Sequence, residues 1–167
     1  TCVPYPSKLS VGTVKVTGLK TGVEMTASAP TWFYLNKGTL PHPAYAPGAA
    51  ILLEAAGDAT EALSLRGFGV EALSTTQTSA ALDRGKALSL AWDPPADAGP
   101  ARVFVKLEIA THGGSPGRVE CHALDTGALD VPSELVDALL DRGYSGFPSV
   151  GLTRRSADSV NTSLGCV

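Results

Sequence analysis

The chain has 167 residues, enough for one domain with a real core, and its 44% hydrophobic and 17% charged residues reverse the balance of a disordered chain. The formal net charge is -3 and Arg154-Arg155 is the only adjacent basic pair, so the clustered cations that a nucleic-acid partner requires are missing. No apolar run approaches the roughly 18–20 residues of a transmembrane helix, so no transmembrane segment is expected.

Strand patterns dominate the chain in order. Gly12–Gly18 (GTVKVTG) alternates around Val14 and Val16, and Val23–Met25 pairs back onto it through residues 20–22. Trp32–Leu35 reads as a short aromatic strand. Ala49–Ala55, Ala62–Leu65 and Val70–Leu73 read as further strands, and Leu88–Trp92 alternates clearly until Pro94-Pro95 stops it. Trp92 falls on the core side of that alternation.

The clearest hairpin comes next. Val103, Val105, Leu107 and Ile109 share one face of residues 102–110, a Gly-rich turn spans 112–117, and Val119, Cys121 and Ala123 return as an apolar face. With His112 set opposite Arg118, Glu108 faces His122 as a cross-strand charge pair. One helix is expected over Pro132–Arg142. Pro132 suits its first position, Glu134 its first turn, and Gly143 its stop, with Leu135, Ala138 and Leu139 facing the sheet. Val150–Thr153 and Val160–Leu164 close the chain as strands. These patterns predict a mostly-β fold. One β-sandwich domain is expected over residues 1–167, Ig-like or jelly-roll-like, with eight to eleven strands and one short helix near 132–142.

The three cysteines, Cys2, Cys121 and Cys166, leave at least one thiol unpaired within the chain. Cys2 and Cys166 each lie one residue from a terminus, and domain termini are often close, which makes them a disulfide candidate and implies an oxidising compartment. The alternative is three free thiols, with Cys2 as a lipid anchor point. Cys121 is expected to be a buried, unpaired small hydrophobe. Thr1 at the start reads as processed or trimmed, so the missing signal peptide does not argue for the cytoplasm.

Motifs for chemistry are few. Ala123–Ala128 (ALDTGA) resembles the catalytic loop of aspartic proteases, whose chemistry needs two aspartates sharing a proton. With one such motif the chain would have to dimerise, so a dimeric aspartic-type hydrolase using Asp125 stands as the alternative function. The competing reading is that Asp125 and Gly127 close a turn before the helix. No catalytic residues are assigned otherwise. Gly143-Tyr144-Ser145-Gly146 misses the spacing of a hydrolase nucleophile elbow, and no phosphate-cradling loop is present. His42, His112 and His122 share no ligand spacing, so no metal and no cofactor is expected. Asn161-Thr162-Ser163 fits a glycosylation acceptor. The aromatic group Trp32, Tyr34 and Tyr45, around Pro41 and Pro43, is the candidate ligand-binding surface, because flat rings stack on sugar faces.

The segments GTVKVTGL (12–19), the small acidic loop Ala56-Gly57-Asp58, LSLAWD (88–93), residues 102–109, VEC (119–121) and DTGALDVPSELVDALL (125–140) resemble a set of uncharacterised exported β-sandwich proteins and lipoproteins common in myxobacteria. That resemblance implies export to the cell envelope or beyond and a β-sandwich. It supplies no activity and no site residues. The function expected from the chain is therefore a non-enzymatic secreted or cell-envelope binding or structural module, with an unidentified protein or glycan partner and no nucleic acid.

Overall fold

A computed structural model describes residues 9–96, 99–111, 117–142, 146–163 and 165–167, together with all their side chains except those of residues 110, 111, 146 and 147. The fold is mostly β with one helix among the described residues. Cys2, His112, Gly143 and Leu164, which figure in the sequence reading, lie outside the described residues. The chain gathers into two compact units, residues 1–69 with 157–167, and residues 70–156.

The first unit holds a four-stranded antiparallel sheet in the order β2-β1-β3-β4, built from β1 (Val14–Thr17), β2 (Val23–Met25), β3 (Ala50–Ala55) and β4 (Leu63–Phe68). Its register sets Val14 opposite both Met25 and Ala55, and Leu53 opposite both Val16 and Leu65. Period-two alternation therefore collects Val14, Val16, Val23, Met25, Leu53, Ala55 and Leu65 on one face. Only Val14, Val23 and Ala55 of these are fully buried. Hydrogen bonds compensate for the thin core. Asp158 accepts from the amides of Arg66 (2.7 Å) and Ser159 (2.9 Å). Glu61 accepts from the amide of Ser163 (2.6 Å) and from its hydroxyl. Asp158 thereby takes up an amide of β4, an edge strand whose outward amides would otherwise be open to pairing, and Glu61 ties Ser163 to the segment just before that strand. The last residues form a short hairpin of β10 (Asn161–Thr162) and β11 (Gly165–Cys166), closed by reciprocal 3.0 Å bonds between Val160 and Val167.

The second unit carries the main hydrophobic core. The strands β5 (Leu88–Ala91) and β8 (Ala128–Val131) pair antiparallel. A three-stranded sheet runs β7-β6-β9, from β6 (Arg102–Thr111), β7 (Gly117–Leu124) and β9 (Gly146–Arg155). Leu88, Leu90, Trp92, Val103, Val105, Leu107, Ile109, Val131 and the helix residues Val136, Leu139 and Leu140 bury one continuous cluster. At about 25 cal/mol per Å², each fully buried branched side chain contributes about 1.5–3 kcal/mol.

The helix α1 (Ser133–Leu140) is shorter than expected, and Pro132 is its extended N-cap residue (φ -56°, ψ 145°), not its first helical residue. Its buried stripe is Val136, Leu139 and Leu140, an i, i+3, i+4 set, whereas Leu135 is 42% exposed and Ala138 is also exposed. The β6–β7 hairpin has a different register from the expected one. Glu108 lies opposite Arg118, and Phe104 lies opposite His122. The shift is an even number of residues, so every side chain keeps its expected face. Trp32–Leu35 and Val70–Leu73 form no strand, and β9 is longer than the expected Val150–Thr153. Cys121 is half-buried rather than buried, and burial raises its thiol pKa. Cys166 is an exposed free thiol, so the expected bond from it is not formed in this structure.

The hydrogen bonds of Ser163 hold Glu61, and the amide hydrogen bonds of Arg66 and Ser159 hold Asp158, below the ordinary carboxylate range. A depressed folded-state pKa contributes stability that is present above the unfolded value and lost as pH falls through the folded one. In an NMR titration the Arg66 and Ser163 amide signals should follow these carboxylates, with midpoints below those of exposed Asp and Glu. Acidification should release residues 157–167 from β4. Midpoints at or above the ordinary values would refute this account of the C-terminal attachment.

Candidate functional site

Residues 26–49 join β2 to β3 without a strand. The reason lies at Trp32, which adopts φ +53°, a left-handed conformation that L residues seldom take and that ends any extended run. Its amide closes a turn onto the Ser28 carbonyl at 3.1 Å. Tyr34 then fastens the loop to the start of the sheet. Its hydroxyl donates to the Gly12 carbonyl (2.9 Å), accepts from the Val11 amide (2.9 Å), and lies 3.4 Å from the Ser10 hydroxyl. Tyr45 is half-buried beside Gly69, where an added Cβ would stand 2.9 Å from the Tyr45 ring and 2.0 Å from the Ala46 carbonyl oxygen.

Of the expected ligand-binding aromatics, Trp32, Tyr34 and Tyr45 are all half-buried, and Tyr34 is committed to the backbone. The large apolar side chains that this loop presents to solvent are Phe33, 61% exposed, and Leu35, 69% exposed. The alternation read from the sequence is right in separating Phe33 from Trp32 and Tyr34. Which side faces water depends on Tyr34 finding Val11 and Gly12, a contact more than twenty residues away that no local pattern encodes.

The Asp-Thr-Gly turn is a buried junction. Arg154 and Asp125 pair at 2.5 Å between Nε and Oδ2, and Nη2 reaches Oδ1 at 3.2 Å. The indole N–H of Trp92 also donates to Asp125 Oδ1, at 2.8 Å. The remaining guanidinium donors go to the carbonyls of Glu71 (3.2 Å), Ala72 (2.9 Å) and Asp93 (2.8 Å). All five N–H groups of Arg154 thus have acceptors, and both carboxylate oxygens of Asp125 have donors. The two side chains are 3% and 0% exposed. Gly127 follows at φ +95°, and its carbonyl accepts from the Trp92 amide at 2.9 Å. A Cβ there would lie 3.2 Å from both the Trp92 carbonyl oxygen and the Pro94 ring.

An aspartic protease needs a carboxyl open to substrate and coupled to a second carboxyl. Asp125 instead meets a guanidinium and an indole in a closed setting, which is the chemistry of a structural tie. Comparison of the chain with protein-family models, curated proteins and solved structures finds no match in any of the three. Site geometry alone therefore carries the functional reading.

The outward face of the β7-β6-β9 sheet is the other polar surface of note. Its rows, read from the register, are Leu124–Arg102–Arg155, His122–Phe104–Thr153, Glu120–Lys106–Gly151 and Arg118–Glu108–Ser149. Lys106 pairs with Glu108, and Arg118 with Glu120 at 3.2 Å. The Arg155 guanidinium lies 3.8 Å from the Phe104 ring centroid, and His122 sits 5.1 Å from that ring on the neighbouring strand. His42 is exposed in the 26–49 loop, and no group of three or more potential metal ligands occurs among the described residues.

Removing one partner of the buried pair leaves the other charge uncompensated, at a cost of about 3–5 kcal/mol. Asp125→Ala and Arg154→Met should each lower the unfolding free energy by that amount in urea denaturation. The double substitution should cost clearly less than the sum of the two. Additive losses would show that the groups are not coupled.

Proposed function

We propose that this chain is a non-enzymatic secreted or cell-envelope module that binds or assembles with a protein or glycan partner through the 26–49 loop. The observation that carries the reading is the pairing of exposure with anchorage there. Phe33 and Leu35 stand 61% and 69% exposed, while Tyr34 between them is tied to Val11 and Gly12. Two large apolar side chains kept in water oppose the hydrophobic effect, and such surface commonly serves recognition. Anchoring the backbone lowers the ordering cost of binding. Trp32 and Tyr45 in the same loop are half-buried. The buried commitment of Asp125 leaves the aspartic-hydrolase reading without a geometric argument in its favour. No described helix is long and apolar enough to cross a membrane. The secreted or envelope location rests on the sequence resemblance.

The test is a glycan array together with crosslinking to native envelope components, using the intact chain and a Phe33→Ser/Leu35→Ser variant. The variant should keep its thermal midpoint and lose at least tenfold in affinity for any partner found. Tyr34→Phe should destabilise the chain by about 0.5–1.5 kcal/mol through the lost hydroxyl bonds and weaken the same binding. Undiminished binding by the double variant would remove the loop from the interface.

A further inference from the structure

Strand β7 is a free edge of the β7-β6-β9 sheet. It pairs with β6 alone, so alternate residues over 117–123 turn their N–H and C=O groups away from the sheet. Among the described residues no other backbone group takes them up. A groove of about 420 Å³ lies beside this edge, between β7 and α1. Val119, Leu135, Ala138 and Leu139 line it. Leu135 is 42% exposed and Ala138 is also exposed, so this flank of the helix stands open to water, unlike the stripe of Val136, Leu139 and Leu140.

The groove ends at a cation. A Cβ added to Gly117 would lie 3.0 Å from Leu139 Cδ1 and 3.3 Å from Arg142 Cβ, so the missing side chain lets the end of α1 lie against the start of β7. Arg142 borders the groove there, is exposed, and has no carboxylate within ion-pair distance among the described residues. The segments next to it and to β7 in sequence, 143–145 and 112–116, contain no Asp or Glu. Arg118, which also borders the groove, is already paired with Glu120 at 3.2 Å. Three features thus point to one kind of occupant. Open backbone groups call for another strand, the apolar groove for a side chain projecting from it, and the unanswered guanidinium for a carboxylate. Antiparallel pairing is the commoner arrangement, and a strand running antiparallel to β7 ends beside Gly117, where Arg142 stands. A second copy pairing β7 with β7 would bring only Glu120, which Arg118 already holds.

We propose that β7 accepts the C-terminal segment of a partner polypeptide as an added antiparallel strand, with an apolar side chain in the α1 groove and the terminal carboxylate on Arg142. The site uses none of the residues of the 26–49 loop, and its failure leaves the loop reading intact. The probe is a hexapeptide of alternating threonine and valine that ends in a free valine carboxylate, followed by NMR. Its C-terminal amide and a version N-methylated at alternate residues serve as comparisons. The acid peptide should shift the amide signals of Val119, Cys121, Leu135 and Arg142 saturably. The amide form should bind at least tenfold more weakly, and the N-methylated form, which cannot complete the ladder, should not bind. Arg142→Gln should keep the thermal midpoint, lower the affinity for the acid peptide to that for the amide form, and leave the amide form unchanged. Arg142→Met, which keeps the apolar stem on Gly117, serves if the glutamine variant does not fold. An absent or non-saturating response to the acid peptide overturns the proposal. So does equal binding of the acid, amide or N-methylated forms, or undiminished binding by a folded Arg142 variant. Concentration-dependent shifts of the β7 amides without peptide would assign the edge to a second copy and overturn it as well.

Discussion

The five hydrogen bonds of Arg154 organise much of the second unit. A guanidinium removed from water must have every donor met, or its desolvation cost goes uncompensated. Here the acceptors come from three places: the 71–72 segment, the residue after Trp92, and the two oxygens of Asp125 beyond β7. Each of those segments is irregular and would otherwise carry unpaired carbonyls close to a buried core. One side chain from β9 thus satisfies backbone groups that no ladder reaches, and Trp92 links the same junction to the hydrophobic cluster.

The two units achieve order by different means. The second follows the usual rule, with alternating strands and one helical stripe enclosing a continuous apolar cluster. Among the described residues of the first, few side chains are fully buried, and individual polar ties fasten its edges: Tyr34 just before β1, Asp158 at β4 and Glu61 just before it. Exposed hydrogen bonds contribute little each, so order in such a unit is open to solvent conditions in a way that a packed core is not.

What could be read from the sequence divides along the same line. The inward faces of β5 and β6 were legible, because period-two alternation over Leu88–Trp92 and Val103–Ile109 has one dominant solution. Helix existence was legible too, but its face was not. Leu135, Ala138 and Leu139 share a helical spacing as good as that of Val136, Leu139 and Leu140, and only tertiary packing chooses between them. The hairpin register depended on a Gly-rich turn whose geometry its residues leave open. Arg154 looked like half of an ordinary basic pair, since adjacent charges usually read as a solvated stretch. The available clue was its place in a strand: neighbouring residues point to opposite faces, so Arg154 and Arg155 could not both be outside. The aromatic segment carries a sound alternation, and the side it turns to water is not legible locally, because the partners of Tyr34 lie far away in sequence.

That adjacency in β9 has a consequence for how the strand finds its place. Among the described strands β9 pairs with β6 alone and forms an edge of its sheet, and a backbone ladder by itself does not tell one alignment from the next. A slip by one residue would turn Arg155 into the core, where the Asp125 junction is built for a guanidinium one step earlier, and would send Arg154 to solvent. Leu152 would leave the core in the same step. Arg154 therefore behaves as a key cut for one alignment of β9. The ladder permits neighbouring alignments, and the lock made by Asp125, Glu71, Ala72 and Asp93 accepts a single one.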